Sequence, residues 1–296
     1  MDRRRDTKRA NVQVDRLSSL PNDLIHKILS LNGLKCAIGN SVLSSTWRYI
    51  WTSMPCLDFS SKDFSTLPKF LEYITNVLSR RDNLGYNDLS VGVFSECPNL
   101  KNLIIDSVEV KGLDVLDICH PLLSDLTLKY VMGSLIGFNV VAPQLKNLTI
   151  RHYEKDLQYQ ISAPDLSSLR YNGYYPLRLF TKGFSSLEKV YLVVYGEDVA
   201  YAHRMFRLLQ QLQSAKFLTL SIEIVEVLSS SVELISGQPS PFTNLKMLKI
   251  YPENVDFNEQ AEKKVDMSME VKNYLLDGSP SATFILVSRE IIMSHG

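Results

Sequence analysis

Asp114, Asp117 and His120 stand close together in this 296-residue sequence, and residues of these types could hold a metal or move a proton. Their setting, just before Pro121 at the start of a repeated unit, assigns them instead to a solvated loop or helix edge. Other signatures of chemistry are missing from the sequence. There is no G-x-S-x-G, no glycine-rich phosphate loop and no H-E-x-x-H, and the five histidines are scattered. Cys36, Cys56, Cys97 and Cys119 do not fall at metal-ligand spacing. The sequence therefore predicts a chain with no catalytic residue, no metal and no cofactor, whose work is binding.

The residues available for binding are set out by a repeat. The unit P-x-L-x-x-L-x-L occurs as Pro98, Leu100, Leu103, Ile105; as Pro121, Leu123, Leu126, Leu128; as Pro143, Leu145, Leu148, Ile150; and as Pro164, Leu166, Leu169, Tyr171. Looser copies follow at Leu187, Val190, Leu192, at Leu218 and Leu220, and at Leu245, Leu248, Ile250. The prolines step by 23, 22 and 21 positions, within the range of leucine-rich repeats. In a strand, residues two apart share a face, so the apolar pairs point inward and the alternate positions point out. Stacked in parallel, such strands form an apolar wall that no single unit could make. The outward rows include Asn172, Val193 and Ser221. They also include the candidate substrate-binding residues Lys129, Arg151, Arg170, Tyr191 and Tyr251, a mixed face suited to a protein partner.

Other elements must cover and cap that wall. Phe70, Ile74, Val77 and Leu78 predict an amphipathic helix over 64–81. The later units are about 28 to 30 residues long, and Met205, Leu208, Leu209 and Leu212 predict a helix in one of them. Tyr171 to Tyr175 forms an aromatic cluster that suits a solenoid edge or a binding spot. Near the C-terminus, Val271, Tyr274, Leu275 and Leu276 predict a short helix, then a turn at Gly278-Ser279-Pro280, then a strand over 283–288.

The N-terminal stretch is a different object. Leu20, Leu24, Ile25, Ile28 and Leu29 fall largely on one helix face, with Pro21 in the first turn. Asn32-Gly33 ends the pattern, a second helix runs from about Leu34 into Val42 and Leu43, and a third carries Trp47 and Trp51 one turn apart. Three helices in so few residues bury little surface and favour docking on a partner.

The ordered set L-P-x-x-L-I-x-x-I-L-S, S-V-L-S, W-R-Y-I-W and P-x-L-D-F over 15–59 resembles the F-box of plant F-box/leucine-rich-repeat proteins. V-K-N-Y-L-L-D-G-S-P-S-A-T-F-I-L-V-S-R-E resembles the C-terminal FBD region of the same family. The resemblance implies an α/β chain in which a three-helix F-box precedes a leucine-rich-repeat solenoid of parallel strands. Its divisions would be a basic tail at 1–14, the F-box at 15–59, a linker and capping helix at 60–97, repeats at 98–252 and an FBD-like cap at 253–296. In that family the F-box binds a Skp-type adaptor, which joins it to a cullin–RING ubiquitin ligase. By position the adaptor-binding residues would be Leu20, Pro21, Leu24, Ile25, Ile28, Leu29, Val42, Leu43, Trp47 and Trp51. The repeats would hold the protein to be ubiquitinated. Three departures bear on the adaptor: Asn32-Gly33 replaces a proline-containing turn, Gly39-Asn40 lies inside the second helix, and Ser45-Thr46 replaces a basic pair before Trp47. The joint at 82–96 is shorter than the family's, which implies missing early repeats.

Composition sets the remaining bounds. The chain is 45% hydrophobic and 22% charged with a formal net charge of zero, so neither nucleic acid nor a membrane is expected as partner. Arg3-Arg4-Arg5 with Lys8-Arg9 reads as a solvated basic tail or a weak nuclear signal. No secretory signal precedes the cysteines, so the expectation is reduced thiols and a place in the nucleus or cytoplasm. Asn147-Leu148-Thr149 matches a glycosylation sequon but reads as strand.

Overall fold

A computed structural model of the chain describes residues 20–29, 56–60, 69, 72, 100–107, 109–110, 114–154, 156–196, 198–251 and 267–287. The chain divides into two units, Met1–Met54 and Pro55–Gly296. In the first, residues 22–29 are helical, and the Pro21 carbonyl accepts from the amides of Leu24 and Ile25 at 3.0 and 3.1 Å. The second and third helices expected around Val42, Leu43, Trp47 and Trp51 lie outside the described residues, as does the basic tail. Within 64–81 the described residues are Lys69 and Glu72, both helical and exposed.

The second unit is a parallel-strand solenoid, consistent with a leucine-rich repeat. Its main sheet runs β1 (Cys56–Ser60), β2 (Asn102–Asp106), β5 (Asp125–Lys129), β8 (Asn147–His152), β10 (Ser168–Gly173), β12 (Lys189–Val194), β13 (Phe217–Ser221), β14 (Met247–Tyr251) and β15 (Thr283–Leu286). Every pairing is parallel and in register, so Leu103, Leu126, Leu148, Leu169, Val190, Leu218 and Leu248 form one buried row. Ile105, Leu128, Ile150, Tyr171, Leu192, Leu220 and Ile250 form a second. Residues 56–60, which the motif places at the end of the F-box, are the first strand of this sheet, paired Leu57 to Leu103. Asn147 opens β8, as its strand reading expects.

One backbone device repeats at six successive steps. The carbonyl just before a strand accepts two amides from the next coil: Lys101 from Ser124 and Asp125 (2.8 and 2.9 Å), Ser124 from Lys146 and Asn147 (2.8 and 3.0 Å), Lys146 from Ser167 and Ser168 (3.0 and 2.9 Å). The same pairing continues at Ser167, Glu188 and Lys216. It pins each strand start one coil above the last.

The short units close with a second strand. β4 (Val115–Cys119), β7 (Gly137–Val141), β9 (Gln158–Ser162) and β11 (Arg178–Phe180) form a four-stranded parallel sheet, and β3 (Glu109–Val110) pairs with β6 (Met132–Gly133). Ile118, Val140 and Ile161 share a buried row in it, and Phe138 stacks on Tyr159 at 5.1 Å. This corrects the reading of Asp114 to His120, which is the strand β4 and its ends rather than a loop or helix edge. Asp117 accepts a 2.7 Å hydrogen bond from Asn139, and the buried His120 accepts from the Leu122 amide through Nδ1 at 3.1 Å. The reason is length: units of 21 to 23 residues leave room for a second strand but not for a helix.

The longer units do hold helices. α1 (Ala202–Gln211) buries Met205, Leu208 and Leu209, with Leu212 at its C-cap also buried, as the sequence predicts. α2 (Ile222–Ser229) follows β13 without a loop, and α3 (Met269–Leu276) precedes β15 with Ser268 accepting from the Val271 amide at 3.3 Å. The missing loop before α2 corrects a second expectation. Ser221 is fully buried, and so is Val193, while Asn172 is 6% exposed; none of the three belongs to an outward face.

Ser221 has a structural task instead. The register of β12 and β13 ends at Leu192 and Leu220. Beyond it, the Ser221 Oγ accepts from the Val194 amide and donates to the Val194 carbonyl, both at 3.2 Å. Ser279 does the same in the next coil, accepting from Leu245 and donating to the Phe242 carbonyl, both at 2.8 Å. Each hydroxyl satisfies two buried backbone groups that no strand reaches. Another tight point is Gly173, where a Cβ would collide with the Tyr171 hydroxyl and the His152 carbonyl.

Two predictions follow from this packing. Ser221→Ala and Ser279→Ala each leave a buried donor and acceptor unpaired, so each should lower unfolding free energy by about 1–3 kcal/mol in urea titration. The second concerns His152, which is 4% exposed and whose pKa burial pushes down to about 4, outweighing its hydrogen bond with the Glu154 backbone. The folded chain keeps this imidazole neutral where the unfolded chain protonates it. Its contribution to stability is present above the ordinary value near 6.5 and declines as the pH falls toward 4. Urea midpoints measured across that window should fall more steeply for the native chain than for His152→Gln. Parallel declines would show that the imidazole does not titrate there.

Candidate functional site

The strand ladder turns the outward residues into columns. In the first column Asp125 accepts from Ser124 Oγ and from Asn147 Nδ2, both at 2.7 Å; with its amide turned to donate, Asn102 reaches the same carboxylate at 3.1 Å. These polar side chains satisfy one another along the column. The candidate residues occupy the next columns and fall into two groups.

Lys129 and Arg151 are register neighbours on β5 and β8. The Arg151 guanidinium donates to the Tyr130 hydroxyl at 3.2 Å, a contact that helps hold it charged and raises its pKa. Tyr130 stacks on Tyr153 at 5.8 Å, and Tyr153 meets Tyr195 at 6.1 Å. Tyr153 is 45% exposed, yet partial burial, then the neighbouring Tyr195 and Tyr130, raise the pKa of its hydroxyl. Tyr130, Tyr153 and Tyr195 were not singled out from sequence. Their signal was legible: each closely follows a strand of the main sheet, and with Tyr174 they recur at the repeat spacing.

The second group joins Arg170, Tyr191 and Tyr251. Arg170 and Tyr191 are register neighbours, and the guanidinium carbon lies 4.4 Å from the ring centroid. Tyr191 and Tyr251 come within 5.6 Å although β13 lies between their strands, because β13 presents the small Thr219 there. The face therefore carries two patches of arginine and tyrosine. Such residues supply large contact area and forked donors at little conformational cost and dominate protein interfaces.

In the N-terminal unit the structure separates the predicted docking residues. Ile25 and Leu29 are fully buried, whereas Leu24 is 50% and Ile28 38% exposed, four residues apart on one helix face. Pro21 is exposed and Leu20 half-buried. Val42, Leu43, Trp47 and Trp51 lie outside the described residues.

Comparison with known proteins gives this arrangement its context. An F-box/LRR-repeat protein of Arabidopsis thaliana is 36% identical over 110 residues, 34% of this chain and 20% of its own length. An FBD-associated F-box protein of the same plant is 28% identical over 157 residues, 50% of this chain and 35% of its own length. A further FBD-associated F-box protein is 26% identical over 228 residues, 54% of this chain and 55% of its own length. The chain is a relative of the plant F-box/FBD/LRR-repeat proteins. Its matches span between 16% and 55% of the length of these relatives. No family model and no solved structure matches it. Among the described residues no helix is long and apolar enough to cross a membrane, and no group of three metal-binding side chains occurs.

The stacked Arg170–Tyr191 pair should couple by about 0.5–1 kcal/mol in a double-mutant cycle of Arg170→Ala and Tyr191→Ala followed by urea unfolding. Zero coupling would reduce the pair to two independent surface residues.

Proposed function

We propose that the chain is a substrate-recognition subunit of an SCF-type E3 ubiquitin ligase. A three-helix F-box at 15–59 docks on a Skp-type adaptor, and the outward face of the solenoid holds the protein to be ubiquitinated. The observation that carries this reading is the motif order of 15–59 together with Leu24 and Ile28, which stand exposed on a helix whose Ile25 and Leu29 are buried. An apolar pair left in solvent one turn apart is the kind of surface a helical partner covers. The two arginine–tyrosine patches support the second half of the reading.

In this role the chain performs no chemistry of its own. It raises the effective concentration of a substrate beside a ubiquitin-charged enzyme. It works in the nucleus or cytoplasm, where cullin–RING ligases act. A second reading, an interaction scaffold that no longer engages the adaptor, is favoured by Gly39-Asn40 in the sequence expected to form the second helix and by Ser45-Thr46 before Trp47.

The test is a pull-down of the purified chain with a plant Skp-type adaptor beside Leu24→Asp/Ile28→Asp. Both positions are exposed, so circular dichroism should be unchanged while capture is lost. Failure of the folded native chain to bind any such adaptor would leave the scaffold reading.

A further inference from the structure

A groove of about 440 Å³ lies between β11 and α1, away from the arginine–tyrosine patches. Its floor is apolar, from Leu177, Leu179 and Leu208, while Arg178, His203, Arg204 and Arg207 line it with donors. The volume is that of an ordinary ligand site. Asp156 answers part of this charge: its carboxylate lies 3.1 Å from Arg204 and 3.5 Å from Arg178. It does so from a left-handed backbone position at φ 69°, an uncommon conformation for a residue with a side chain. The Arg178 and Arg204 guanidinium groups thus share one carboxylate, and Arg207 lines the same groove.

One further detail leaves donor capacity open in the groove. The Arg204 Nη1 is buried without a hydrogen-bond partner, although Nη2 meets Asp156. His203 and Arg204 also lie near the start of α1, whose preceding turn (Val199–Tyr201) is capped by the Asp198 side chain. A bound anion would use the donor that Asp156 leaves open on Arg204. His203 and Arg207 are four residues apart on one helix face, and both are exposed.

We propose that this groove binds a phosphate monoester dianion, carried on a phosphorylated protein segment or on a small phosphorylated metabolite. The three terminal oxygens of such a group match the forked donors of the lining arginines, which favour phosphate. The apolar floor takes the body that carries the phosphate. The site stands independently of the ligase reading, because it uses neither the N-terminal helix nor the outward face.

Isothermal titration of the full chain at low ionic strength tests it. The probes are a phosphoserine peptide, the same peptide unphosphorylated, and a hexose phosphate. Saturable binding of at least one phosphorylated probe is expected, weakened tenfold or more by Arg207→Glu and tightened severalfold by Asp156→Asn, which removes the competing carboxylate. Asparagine tolerates the left-handed position, so that variant keeps the fold. Tighter binding of the phosphopeptide than of the hexose phosphate assigns a protein source, and the reverse order a metabolite. The proposal is overturned if neither phosphorylated probe saturates at millimolar concentration, if the unphosphorylated peptide binds as well as its phosphorylated form, or if both variants bind like the native chain.

Discussion

Everything in the solenoid depends on parallel strands stacked without slippage. A shift of one residue would turn every apolar side chain outward, because strand side chains alternate faces. Two things prevent it. Leucine, isoleucine and valine at matching positions bury two continuous rows, and each coil from β5 to β14 delivers two amides to one carbonyl of the coil before. The backbone device sets the starting point of those main-sheet strands, and the buried rows penalise any other. Because register is fixed, outward side chains fall into columns, and contacts such as Arg170 over Tyr191 are consequences of neighbouring repeats rather than of local sequence.

Repeat length decides what lies behind the wall. The short units return through β4, β7, β9 and β11, and the longer ones through α1, α2 and α3. The change of style falls between β11 and α1. A strand sheet and a helix do not share hydrogen bonds, so the last strand of the second sheet meets a packed helix face instead of another strand. That mismatch opens the arginine-lined groove. The tyrosines around it bind the two halves of this unit together: Tyr171 donates to the Tyr175 carbonyl, Tyr175 meets Tyr201 edge-on at 5.4 Å, and Arg204 lies over Tyr201. Of the two roles open to the Tyr171–Tyr175 cluster, this packing accounts for Tyr171 and Tyr175. Tyr174 remains half exposed.

The main sheet was readable because its signal is repeated. Each copy of the leucine pattern supports the next, and even the copies lacking proline proved to be strands with their patterned leucines, isoleucines and valines buried. α1 was readable because Met205, Leu208, Leu209 and Leu212 carry helical spacing over a full unit. The second sheet was harder. Its strands are three to five residues long, and segments such as Gln158–Ser162 mix polar and apolar residues too briefly to show a period. Asp117 and His120 drew notice as chemistry because composition hides their partners, Asn139 and the Leu122 amide, one of them a whole repeat away. The burial of Asn172, Val193 and Ser221 was beyond an alternation rule. Alternation gives the face of a strand, not what later crosses it, and α2 follows β13 with no intervening loop.

The outward patches gain their value from the stiffness beneath them. A binding surface made of flexible side chains loses much of its contact energy to ordering. Tyrosine has few rotamers to lose, and Tyr130, Tyr153 and Tyr195 limit one another further by contact from coil to coil, Tyr153 and Tyr195 reaching across the coil between them. Arg170 is held over Tyr191 in the same way, before any partner arrives. The strands that carry these residues cannot shift singly, because each shares its backbone bonds with a coil on either side. A partner meeting this face would therefore meet a surface already arranged. Its specificity would rest on the spacing of two arginine–tyrosine patches fixed by the repeat itself, so changing repeat length between them should alter recognition more than exchanging the individual polar residues of the first column.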